Sequence, residues 1–152
     1  MVKVLKRSVA LAAAAGIALV GLTATSAEAD VIRCSKNTVT GTWRAQCLRY
    51  TEDGDPGGVS GNVVLQKVDG GAARVNFSAD GEKVWTINTS DKTFWVEVDW
   101  WVTPDNIHRD IYYKLLPGDE QDFDRSYPEG RTVQIYIGTT SGKGASTKRL
   151  VS

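Results

Sequence analysis

KTFWVEVDWWVTPD, residues 92–105, is apolar at every second position over most of its length and holds three of the five tryptophans of the chain. Alternate side chains of an extended strand point the same way. Phe94, Val96, Val98, Trp100 and Val102 therefore form one face, and Trp95, Glu97, Asp99, Trp101 and Thr103 the other. The first set reads as a core face. The second places two tryptophans around two carboxylates, and Trp95 to Trp101 spans about 20 Å at roughly 3.4 Å per residue. Burying Glu97 and Asp99 without partners is costly, so this face is expected to be wet. A bulge at Trp100-Trp101 that turns one ring inward, or a loop packed over the strand end, is the competing structural reading.

The next segment, NIHRDIYYKLL (residues 106–116), repeats the alternation after a short Pro104-Asp105-Asn106 link, which makes the two strands hairpin partners. Strict alternation puts Ile107, Arg109, Ile111, Tyr113 and Leu115 on one side and His108, Asp110, Tyr112 and Lys114 on the other. The polar set is expected beside Trp95, Glu97, Asp99 and Trp101. Exposed Trp and Tyr mixed with polar groups are the residue types enriched where partners bind. The candidate binding residues are thus Trp95, Glu97, Asp99, Trp101, Asp110 and Tyr112.

Working outward, period-two runs rich in Val, Ile, Thr and aromatics recur at 38–50, 62–68, 72–77, 83–89 and 131–139. DGDPGG, DGG, DG, PG and EG clusters punctuate them in the manner of hairpin turns. About seven to eight strands at this spacing predict an all-β antiparallel sandwich. Trp43 and Trp85 sit among alternating apolar positions and are expected in the core. The Gly/Ser/Thr-rich tail, residues 143–149, reads as a frayed end.

The start of the chain points to export. Lys3, Lys6 and Arg7 precede an apolar Ala-rich run over 10–22, and Ala27-Glu28-Ala29 has the small-x-small cleavage pattern of a secretory signal peptide. The run falls short of the roughly 20 apolar residues of a membrane span. Residues 30–152 then form a single secreted domain. Setting aside Lys3, Lys6, Arg7 and Glu28 leaves 15 basic and 17 acidic residues of the original 18 and 18. A nonspecific nucleic-acid binder needs a surplus of Lys and Arg, so nucleic acid is not expected as a partner, and neither is a membrane. The Ala-rich leader and Gly-rich body resemble in style those of actinobacterial exported proteins.

Cys34 and Cys47 are the only cysteines, and in an exported chain they are expected to pair. A metal pair needs two further ligands, and a redox pair needs the CxxC spacing. GDEQDFDRSYPEG (residues 118–130) reads as an acidic loop anchored by Phe123 and Tyr127. Its carboxylates do not follow the EF-hand ligand spacing, so no metal or cofactor is expected. No serine occupies a GxSxG elbow around the single His108, and a carboxylate pair at i and i+2 is a common solvated pattern. A non-catalytic protein is expected. Its first reading is an adaptor, or a subunit of an extracellular assembly such as an antibacterial toxin complex, that binds another extracellular protein. A carbohydrate-binding module is the alternative with a glycan partner. A secreted protease inhibitor presenting 53–58 or 118–130 is the third. A glycan binder needs a planar aromatic strip, whereas an adaptor needs aromatics rimmed by apolar side chains or by an open strand edge.

Overall fold

A computed structural model describes residues 30–152; the expected leader, residues 1–29, lies outside them. The described residues hold no helix and form two antiparallel sheets packed face to face. The six-stranded sheet runs in the order β1 (Asp30–Ile32), β3 (Trp43–Tyr50), β4 (Ser60–Lys67), β5 (Ala72–Ser78), β6 (Lys83–Asn88) and β9 (Glu120–Asp124). The five-stranded sheet runs β2 (Lys36–Asn37), β11 (Gly144–Val151), β10 (Thr132–Thr139), β7 (Phe94–Thr103) and β8 (Asn106–Leu115). The sandwich expected from the alternation is thus present, with eleven strands rather than seven or eight.

The extra strands come from segments that lack the alternating signature. β1 and β2 are two or three residues long. β9 lies inside the acidic segment and pairs Phe123 with Val84, so residues 120–124 extend the sheet instead of forming a loop. β11 occupies the supposed frayed tail and pairs with β10 along its length. Its small residues have a packing reason: a Cβ on Gly144 would lie 2.5 Å from the Tyr136 hydroxyl. Small polar residues beneath an aromatic ring look like a tail in sequence and like a strand once the ring is in place.

The core lies between the sheets. Phe94, Val96 and Val98 meet Val75 and Phe77 of the opposite sheet in one buried cluster. Burying each such side chain contributes roughly 1.5–3 kcal/mol. Trp43 stands edge-on to Phe94 at 5.3 Å and packs on this cluster. Trp85 does not. Val84 and Thr86 take the inward positions of β6, so Trp85 faces outward, where its indole N–H donates to Glu120 Oε1 at 2.8 Å. Cys34 and Cys47 form the expected disulfide, tying the β1–β2 link to β3.

Candidate interaction surface

β7 keeps its alternation. Phe94, Val96 and Val98 are fully buried, and Trp95 and Glu97 are half-buried on the outer face of the five-stranded sheet. Its partner β8 does not keep strict alternation. Val98 pairs with Ile111 while Asp99 pairs with Arg109, so Asp110 is an extra residue in the ladder. A bulge of this kind re-aims the side chains that follow it. Ile111, Tyr113 and Leu115 stay on the inner side, but before the bulge the faces exchange: Arg109 joins the outer face and His108 turns to stack on Trp100 at 4.9 Å.

This exchange corrects the expected grouping of site residues. Asp110 is not beside Trp95 and Glu97. It accepts a hydrogen bond from the Tyr127 hydroxyl at 2.8 Å and an ion pair from Arg125 at 2.9 Å, and so fastens the 125–130 segment to the flank of the sandwich. Tyr127 itself is buried, tilted against Phe77 and Trp100. Burial raises its phenol pKa, and donation to the Asp110 carboxylate raises it further. The segment 118–130 therefore covers Trp100 rather than Trp95.

On the outer face the side chains form a row. Trp95 and Tyr112 stack at 4.9 Å with an interplanar angle of 12°. Lys114 Nζ lies 5.2 Å over the Trp95 ring, and the Arg109 guanidinium lies 4.9 Å over the Tyr112 ring. Arg109 Nη2 then donates to Glu97 Oε1 at 2.8 Å, and its Nε stands 3.7 Å from Asp99 Oδ1. Cation, ring, ring, cation and carboxylate pair thus follow one another across two strands. Cation–π contacts of this kind contribute about 0.5–1 kcal/mol each at exposed sites.

Asp99 is the most enclosed member, 8% exposed, and its Oδ1 has no hydrogen-bond partner among the described residues. Burial, followed by the adjoining Glu97 carboxylate, pushes its pKa up to about 6, partly offset by Arg109. β10 completes the surface with residues that sequence reasoning had not singled out. Gln134 pairs with Asp99, and Tyr136 with Glu97. A Cβ on Gly138 would lie 2.1 Å from the Tyr136 hydroxyl, so this ring lies against the sheet over Gly138 and Gly144, with Lys36 Nζ 5.2 Å over it. Between Tyr112 and Tyr136 the surface dips into a depression of about 380 Å3 lined by Lys36, Trp95, Glu97 and Gln134. The outward alternation of Gln134 and Tyr136 was readable in TVQIYIG; the adjacency of β10 to β7 was not.

Trp101 lies farther along β7, in register with Ile107, which is 54% exposed, and walls a second depression of about 510 Å3 with Arg131 and Arg149. Trp95, Glu97, Asp99 and Tyr112 are therefore one contiguous group, Trp101 stands at the hairpin end, and Asp110 lies elsewhere. Among the described residues no cluster of three or more His, Cys, Asp or Glu side chains is placed to hold a metal ion. In the acidic segment, Glu120, Asp122 and Asp124 of β9 alternate with Gln121 and Phe123 and so share the outer face with Trp85, whose indole N–H bonds Glu120. No protein-family model, curated protein or solved structure matches this chain.

Proposed function

We propose that this is an exported, non-catalytic binding protein, an adaptor or subunit of an extracellular assembly. It presents the outer face of its five-stranded sheet and the adjoining β8 edge to another protein. The observation that carries the reading is the state of the aromatic rings. Each ring of the Trp95–Tyr112 pair already has two neighbours, the other ring and a cation, so the flat surfaces a sugar ring would need are taken. Tyr112 is nonetheless 52% exposed, and rigid Tyr, Trp and Arg groups of this kind are enriched at protein interfaces. The apolar rim is supplied by Ile107. The open edge is supplied by β8, which among the described residues pairs only with β7 and is ten residues long.

Export is supported by the leader-like start of the sequence and by the disulfide, a bond that persists in oxidising compartments. The inhibitor reading loses one of its two loops, because β9 ties residues 120–124 into a sheet. The glycan reading retains one supporting observation. The Tyr136 hydroxyl and Gln134 amide line the 380 Å3 depression without a hydrogen-bond partner among the described residues.

A capture experiment separates these readings. The immobilised protein is exposed to culture filtrate of the producing organism and, in parallel, to a panel of insoluble polysaccharides. Trp95→Ala, Tyr112→Ala and a Trp85→Ala control on the opposite sheet are tested beside it. The adaptor reading predicts a stoichiometric protein retained by the wild type and Trp85→Ala and lost by the other two. Retention on a polysaccharide that depends on Trp95 and Tyr112 would replace it with the glycan reading. Protein capture indifferent to both substitutions would move the contact off this face.

A further inference from the structure

Three arginines meet at a flank of the sandwich away from the Trp95–Tyr112 row. Arg33 belongs to the link between β1 and β2, Arg49 to the end of β3, and Arg149 to β11. With Ile32 and Ser35 they line one groove of about 340 Å3. None of the three makes an ion pair or a side-chain hydrogen bond among the described residues. Arg109 on Glu97, Arg125 on Asp110 and Arg131 on the Val102 carbonyl are engaged, whereas Arg44 and Arg74, like these three, make no ion pair or side-chain hydrogen bond among the described residues but do not line this groove. Three like charges in one groove repel one another, and in a chain whose described residues carry more acid than base their clustering is not an effect of overall charge.

The groove is also held in shape. Ile32 pairs with Cys47 in the β1–β3 ladder, Cys34 is bonded to Cys47, and the Ser35 amide donates to the Ser146 carbonyl at 2.8 Å. Arg33 is thus fixed on both sides, to one sheet and then to the other. Arg149 sits where the β10–β11 register slips, with φ at +65°. Residues other than glycine seldom adopt this conformation, and it concentrates at functional positions. A planar guanidinium offers paired donors that match the oxygens of carboxylate, sulfate or phosphate.

We propose that Arg33, Arg49 and Arg149 form a binding site for an oxyanion of the sulfate or phosphate class. The anion sits in the groove, neutralises the repulsion among the three guanidiniums and accepts their hydrogen bonds. The Ser35 hydroxyl is the remaining donor lining it. The site is separate from the aromatic row and stands whether or not that row binds a protein.

The test is a titration of the purified protein with sodium sulfate and sodium phosphate against sodium chloride at matched ionic strength, read by backbone amide NMR shifts. The expected result is a saturable shift confined to residues around 33–35, 49 and 149 with sulfate or phosphate and absent with chloride. Arg33→Ala should weaken the affinity by about tenfold or more, as expected for loss of a hydrogen bond to a charged group. Arg149→Gly is the informative variant, because glycine accepts the positive φ: it should keep or raise Tm while weakening the anion affinity to a similar degree. A dextran sulfate arm distinguishes sources, since much tighter binding than inorganic sulfate assigns the anion to a sulfated polymer and equal binding per sulfate assigns it to a small ion. Shifts identical in chloride and sulfate, or sulfate shifts unchanged in both variants, would overturn the proposal.

Discussion

Asp99 shows how a single position can be misread. In sequence it is one of two acids on the polar face of a strand and reads as solvated. In the fold it is flanked by Gln134 on β10 and Arg109 on β8, and only 8% of it stays exposed. No local pattern reveals that crowding, because both neighbours arrive from other strands. The consequence is a linked pH dependence. The folded-state pKa near 6 lies above the roughly 3.9 of an unfolded aspartate, so the folded chain holds the extra proton more tightly. The stabilising contribution of the protonated acid is full below about pH 4 and is lost as the pH rises through 6. Asp99→Asn should therefore raise stability at pH 7 by about 1–3 kcal/mol and flatten the pH profile of unfolding between pH 4 and 7. Urea midpoints measured across that range check both parts, and a variant with the wild-type slope would assign the titration to another group.

At the scale of elements, the bulge in β8 decides which residues stand together. Strict alternation grouped His108 and Asp110 with Tyr112; the extra residue at 110 turns His108 onto Trp100 and Asp110 toward Tyr127 and Arg125 at the flank, and brings Arg109 to the outer face. A one-residue insertion leaves no mark in a sequence whose residues on either side are equally compatible with a strand. The same holds for β11, where Ala145 and Leu150 are buried without an apolar run to announce them. The Tyr136 ring over β10 and β11 offers a direct test of this packing. Gly138→Ala places a methyl where the Tyr136 hydroxyl lies 2.1 Å away, so the ring must lift off the sheet. We expect a loss of about 1–3 kcal/mol, the range for forcing extra volume into a packed position. The Tyr136 ring protons should shift together with those of Tyr112. An unchanged Tyr136 spectrum would contradict the arrangement.

Across the whole molecule, the class of fold was legible because seven strands alternate clearly and turn residues separate them. The sheet order was not, since β7 ends at Thr103 and its neighbour β10 begins only at Thr132, with 28 residues of chain between them. The disulfide was legible from the cysteine count together with the leader-like start of the chain. It closes a loop with 12 residues between its ends and should contribute about 3 kcal/mol in the chain-entropy model. Reduction should therefore lower the urea midpoint while leaving the circular dichroism of the folded baseline unchanged. A reduced protein as stable as the oxidised one would show that β1 and β2 dock without their tie.

The central claim is that the outer face of the five-stranded sheet and the β8 edge meet a partner protein. Hydrogen exchange tests it most directly, because amides on the unpaired side of an edge strand exchange freely until something covers or pairs with them. The measurement is a difference map between the free protein and its complex with the captured partner. The account predicts slowed exchange over residues 106–115, with smaller protection in 94–101 and none in 72–88. Protection confined to the six-stranded sheet, with β8 exchanging as in the free protein, would contradict it.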